Sequence, residues 1–137
     1  YADEVLGVKH FEELLPLIDY LVLALPDSTK TRDIINQNIL KKINNSAMLI
    51  NVGRGSVVNE QDLSDALNNE EISAAALDTT KIEPLEQSSP LWTAKNCFIS
   101  AHDSAHSLLS LQRAFELFFQ NIKNIQNGEP IKNLYSE

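Results

Sequence analysis

Cysteine is almost absent from this chain. Cys97 is its one thiol, so no internal disulfide framework exists and a reducing compartment is expected. It lies in the apolar run Cys97-Phe98-Ile99 and reads as a buried structural thiol rather than a nucleophile. Glycine is scarce too: the four present, Gly7, Gly53, Gly55 and Gly128, write no G-x-G-x-x-G anywhere, so a phosphate-binding turn of that kind is missing. No apolar stretch reaches the roughly 20 residues of a membrane span, and no basic-then-apolar leader opens the sequence, so a soluble, cytoplasmic protein with no membrane partner is expected. Basic residues are in deficit, 11 against 19 acidic for a formal charge of -8, which argues against nucleic acid or an anionic membrane as partner. A small anionic substrate remains compatible, because one local Arg outweighs a diffuse negative field at close range.

What is present is a chain of 137 residues with 43% hydrophobic content, enough for one compact domain with a sizeable core and without internal repeats or low-complexity tracts. Val5, Leu6 and Val8 suggest a short strand or its remnant, and Phe11, Leu14, Leu15 and Ile18 a short amphipathic helix. Residues 20–25 form a continuous apolar run, predicting a strand covered on both faces and stopped by Pro26. Ile34, Ile35, Ile39, Leu40 and Ile43 then recur at helical intervals. A second strand is predicted over 47–52, a helix capped by Asn59 and ending near Asn68, a third strand over 72–77, and a fourth over 97–100. The connection over 79–94, with Pro84 and Pro90, has a length typical of functional loops. A last helix, predicted to begin near Ser104 or Ser107, ends at Gly128.

Strands alternating with helices imply an α/β fold with a parallel sheet and right-handed crossovers. Asp27, Arg54, Asp78 and His102 then fall just past four successive strand ends, which in a parallel sheet share one rim, the edge where such sheets bind ligands. In the stretch Asn51-Val52-Gly53-Arg54-Gly55, the glycines permit a sharp turn and a close backbone approach, and Arg54 offers a rigid fork of donors for a carboxylate. Taken alone, Gly-Arg-Gly reads equally well as an ordinary surface turn. A carboxylate such as Glu83 beside an imidazole such as His102 would hold the ring and make a general acid. Asp103 and His106 are further candidates on the same segment, His106 reading as a solvated residue on the first turn of the last helix. With Arg54 polarising a carbonyl, the set suits reduction of a 2-oxo acid by a hydride supplied from elsewhere.

Several of these stretches, in this order, resemble the D-isomer-specific 2-hydroxyacid dehydrogenases: Asn51-Val52-Gly53-Arg54-Gly55 with Val58-Asn59-Glu60, Ala76-Leu77-Asp78, Glu83-Pro84, Ser89-Pro90-Leu91-Trp92 and Ser100-Ala101-His102. Leu25-Pro26 with Thr29 and Thr31 resembles the family's adenosine-side loop, and 128–133 the segment after its last helix. Within the family the likeness is to the glyoxylate and hydroxypyruvate reductase type. The resemblance implies that Arg54 binds substrate carboxylate and carbonyl, and that Glu83 pairs with His102 as acid or base. It further implies that Asp78 contacts the nicotinamide carboxamide, and that Leu25, Pro26, Val52, Gly53, Arg54, His102 and Ser104 line NAD or NADP. Two positions depart from the family pattern. Ala101 stands where Pro is usual, and Asp103 stands where an apolar residue or Thr is frequent, able to shift the His102 pKa or to compete with Glu83.

Without the Gly-rich fingerprint, and without the acidic or basic residue beyond it that selects NAD or NADP, the chain reads as the second half of a doubly wound, Rossmann-like sheet. It would then be the carboxyl-terminal part of the dinucleotide-binding domain of a longer enzyme, the substrate domain lying outside it, and inactive as an isolated fragment. The resemblance also implies a homodimer acting on a small 2-oxo acid. The alternative of another class is a non-catalytic, NAD(H)-sensing interaction domain of the same fold.

Overall fold

The computed structural model describes residues 2–134. Its sheet has four parallel strands, β1 (Tyr20–Leu23), β2 (Met48–Asn51), β3 (Ala74–Leu77) and β4 (Cys97–Ile99), in the spatial order in which they occur along the chain. The helices are α1 (Phe11–Leu14), α2 (Gln37–Leu40), α3 (Glu60–Asn68) and α4 (Ser110–Asn127), with a 3-10 turn at Pro90–Thr93 before β4. This is the parallel α/β architecture expected. Two compact units divide the chain, one through His102 and one from Asp103, where the sequence suggested one.

Register explains which side chains are buried. Leu21, Leu49, Ala75 and Cys97 form one row across the sheet, and Leu23, Asn51, Leu77 and Ile99 the next, both on the same face. Those rows pack on Ile35, Leu40, Leu63, Leu67 and Leu91. The intervening row, Val22, Ile50, Ala76 and Phe98, faces the other way, and Val22 and Phe98 are 58% and 63% exposed. The expectation that β1 is covered on both faces is therefore corrected. A sheet whose strands advance steadily in one direction, each joined by a right-handed crossover, places every crossover on one face.

Three local readings also change. Val5 and Val8 are 88% and 82% exposed and belong to no strand. The helix expected from Ile34 to Ile43 is confined to α2, because Asn36 caps it, accepting from Asn38 and Ile39 N–H, and Ile35 forms a parallel bridge with Val58. The last helix begins at Ser110, so His106 precedes it, donating its N–H to Asp103 O at 2.8 Å. Elsewhere the local chemistry acts as read. The Asn59 side chain accepts from Asp62 N–H at 3.1 Å to start α3. Gly128, left-handed with φ 69°, closes α4, and Glu129 N–H reaches back to Asn124 O. No helix among the described residues is long and apolar enough to cross a membrane.

One buried group runs against the core around it. Thr79 is 2% exposed and its hydroxyl has no hydrogen-bond partner among the described residues. Thr79→Val, which keeps the shape and removes the orphan hydroxyl, is expected to stabilise the protein by about 1 kcal/mol. A thermal melt should show Tm rising by ~4 °C; an unchanged or lower Tm would count against it.

Candidate active site

The carboxyl ends of the four strands form the rim. Asp78 follows β3 directly, Arg54 lies three residues past β2, His102 three past β4, and Asp27 four past β1. All four expected rim residues are thus brought to one edge.

Arg54 stands exposed on a turn packed tightly on both sides. A Cβ on Gly53 would lie 2.6 Å from Leu25 O, and one on Gly55 2.0 Å from Thr80 C. Neither glycine has positive φ, so close approach, and not left-handed backbone, is what requires glycine here. The Asn51 side chain accepts from Gly53 N–H at 3.0 Å and donates to Arg54 O at 3.0 Å. Arg54 Nη1 donates to Gly53 O at 2.9 Å.

Asp27 braces this turn from the β1 side. Its carboxylate accepts from Arg32 Nε at 2.8 Å and Nη2 at 3.0 Å, and from Ser56 Oγ at 2.9 Å. The hydrogen bonds from Arg32 and then Ser56 hold its pKa down to about 2, so it stays an anion and is committed to bracing rather than free for proton transfer.

On the opposite side, Glu83 Oε2 lies 2.8 Å from His102 Nδ1, and Glu83 Oε1 accepts from Thr80 N–H at 3.0 Å. The His102 hydrogen bond, then that from Thr80, lowers the Glu83 pKa and keeps it ionised. An ionised carboxylate only accepts, so the proton of this bond sits on Nδ1 and Nε2 is left for exchange with a substrate. His102 itself has φ 55°, an uncommon backbone for a non-glycine residue. The Glu83–Pro84 peptide bond is cis. Beside the pair opens a cleft of about 580 Å³, lined by Pro84, Leu85, Trp92, Ile99 and Ala101 among others.

Asp78 is 6% exposed and accepts from Ser100 Oγ at 2.6 Å. Leu25 and Val52, 37% and 41% exposed, present apolar surface on neighbouring loops. An amide acceptor with apolar neighbours fits the nicotinamide end of a dinucleotide. Ser104 lies in the second unit and is exposed. Sequence reading gave no role to Asn51, Ser56, Thr80 and Ser100, although Asn51 and Ser100 stand in the motifs it singled out; the one available signal was a polar Asn closing an otherwise apolar strand.

Taken together, the parallel sheet, the rim arginine and the Glu83–His102 couple define a dinucleotide-type α/β domain equipped for acid–base chemistry. Residues 1–104 match the family model described as D-isomer specific 2-hydroxyacid dehydrogenase, NAD binding domain, and the chain belongs to that family. It is 34% identical over 120 residues to a hydroxypyruvate reductase of Blautia hydrogenotrophica, covering 88% of this chain and 37% of that protein. It is 35% identical over 119 residues to a glyoxylate reductase/hydroxypyruvate reductase of Homo sapiens, covering 87% of this chain and 36% of that protein. The fold is similar to a D-isomer specific 2-hydroxyacid dehydrogenase of Xanthobacter autotrophicus Py2 in complex with NADPH and MES, with TM-score 0.85, 32% identity and 95% and 53% of the two chains covered. The chain therefore spans well under half the length of the two curated relatives.

Proposed function

We propose that this chain is the carboxyl-terminal part of the dinucleotide-binding domain of an NAD- or NADP-dependent D-2-hydroxyacid dehydrogenase, homodimeric through this domain, which reduces a small 2-oxo acid such as glyoxylate, hydroxypyruvate or pyruvate. The single observation that carries the reading is the 2.8 Å Glu83–His102 contact on the rim that also carries Arg54. A bound dihydronicotinamide supplies the hydride. Asp78, with Leu25, Pro26, Val52 and Gly53, would hold the nicotinamide end. Arg54 grips the carboxylate through charge-assisted hydrogen bonds and polarises the adjacent carbonyl. His102 delivers its Nε2 proton to the carbonyl oxygen, while Glu83 stabilises the charged ring and fixes its orientation. With no Gly-rich phosphate-binding turn in the sequence, the pyrophosphate is left to residues outside this chain, and the isolated polypeptide is expected to be inactive.

The test follows NADH and NADPH oxidation by the full-length protein over a panel of 2-oxo acids. Turnover with at least one is expected. Arg54→Ala should lower kcat/KM by about 10²–10³-fold, the loss of two charge-assisted hydrogen bonds, with Arg54→Lys in between. A wild type that binds dinucleotide but reduces none of the panel would overturn the reading in favour of a sensing domain.

A further inference from the structure

We infer that Asn51 is a positioning residue for Arg54, the buried group that determines where the guanidinium stands; this rests on the reading of Arg54 as the carboxylate-binding residue. Asn51 closes β2 and is 1% exposed, in the row Leu23, Asn51, Leu77 and Ile99, where its neighbours are all apolar. An amide buried there costs about 1–3 kcal/mol unless hydrogen-bonded. Both ends of this amide are bonded, and both to the turn that follows.

Its oxygen takes Gly53 N–H and its nitrogen serves Arg54 O, each at 3.0 Å. Arg54 O also accepts from Val57 N–H at 3.1 Å, which uses both lone pairs of that carbonyl. Gly53 O receives Arg54 Nη1, so both polar backbone groups of Gly53 are taken by side chains, its N–H by Asn51 and its carbonyl by Arg54. At the flanks the turn abuts backbone, Leu25 on one side and Thr80 on the other. Steric contact there stops sideways movement, and the Asn51 amide pins the turn to the sheet. The sheet in turn holds Asn51, whose carbonyl accepts Asp78 N–H at 2.9 Å.

The experiment uses the full-length protein with Asn51→Ala, Asn51→Asp, Arg54→Ala and the Asn51→Ala/Arg54→Ala double variant. Asn51→Asp keeps the acceptor for Gly53 N–H and loses the donor to Arg54 O. Both Asn51 variants should raise KM for the 2-oxo acid tenfold or more, and the dinucleotide Kd by a smaller factor, because Asp78, Leu25 and Pro26 remain to hold the nicotinamide end. In the Arg54→Ala background, Asn51→Ala should cost less than a further twofold in kcat/KM. An equal factor in both backgrounds would show a merely structural Asn51 and overturn the inference. If Asn51→Ala does not fold, Asn51→Asp carries the comparison, alone and with Arg54→Ala. Amide hydrogen exchange at Gly53 and Gly55 supplies a readout independent of activity. In Asn51→Ala, exchange at least tenfold faster there, with β2 unchanged, is expected; unchanged exchange overturns the inference. A wild type that reduces no 2-oxo acid sinks the proposed function instead, and the exchange rates still decide whether Asn51 holds the turn.

Discussion

His102→Ala is expected to lower kcat for 2-oxo acid reduction by the full-length protein by about 10²–10⁴-fold, the range for a lost general acid. Dinucleotide affinity should fall by a smaller factor, because Asp78, Leu25, Pro26, Val52 and Gly53 remain to hold the nicotinamide end. The size follows from the arrangement at the rim: Glu83 occupies Nδ1 at 2.8 Å, which leaves Nε2 as the proton donor of the couple. Glu83→Gln removes the charge but can keep a hydrogen bond, so a smaller loss of about 10-fold or more in kcat is expected. The two differ in pH dependence. Because hydrogen bonds from His102 and Thr80 depress the Glu83 pKa, the contribution of its charge is present above the ordinary glutamate range and is lost as pH falls through the lowered value. A pH profile of kcat/KM for wild type and Glu83→Gln checks this: the acid-side loss due to Glu83 should vanish in the variant. Full activity in His102→Ala would remove His102 from the chemistry.

The second large effect is expected from a single methyl group. In Gly55→Ala the new carbon would lie 2.0 Å from Thr80 C, 2.2 Å from Thr80 O and 2.4 Å from Lys81 N, all backbone atoms that no rotamer change can move aside. Relief requires the Arg54 turn and the loop after β3 to separate by more than about 1 Å, at a cost of about 3 kcal/mol or more. Thermal unfolding should show Tm lowered by ~10 °C or more. Activity should fall further than stability alone implies, because Thr80 N–H holds the second oxygen of Glu83. Gly7→Ala is the control, with nothing within 4 Å of the added carbon, and should leave Tm nearly unchanged. A Gly55→Ala protein as stable as wild type would refute the clamp.

The strands and their polar ends were legible because a parallel strand is written as a short apolar run, and its end is marked by the first polar residue or glycine. That rule located Asp78 directly and put Arg54 and His102 within three residues of the marked ends, without any knowledge of contacts. It failed where a pattern depends on partners. Ile34, Ile35, Ile39 and Leu40 have helical spacing, yet Ile35 is buried through a strand-like bridge to Val58, and burial alone produces the same apolar positions. An apolar run likewise does not reveal how many of its faces are covered; strand order does, and strand order is a non-local property. Asn51, Ser56 and Ser100 were missed for a related reason. Each acts by orienting another side chain, and nothing in the sequence states which oxygen a buried amide or hydroxyl will meet.

The equal overhang of Arg54 and His102 beyond their strands has a metrical consequence. Both lie three residues past a strand end, with β3 between their strands. Strands in a sheet repeat every ~4.8 Å, so the two strand ends that precede these residues stand about 10 Å apart, with one strand between them. In the proposed reaction one grips a carboxylate and the other meets a carbonyl oxygen, so the substrate would lie across the end of β3. The sheet's repeat thus sets the spacing of the two strand ends, and neither salt nor pH alters it.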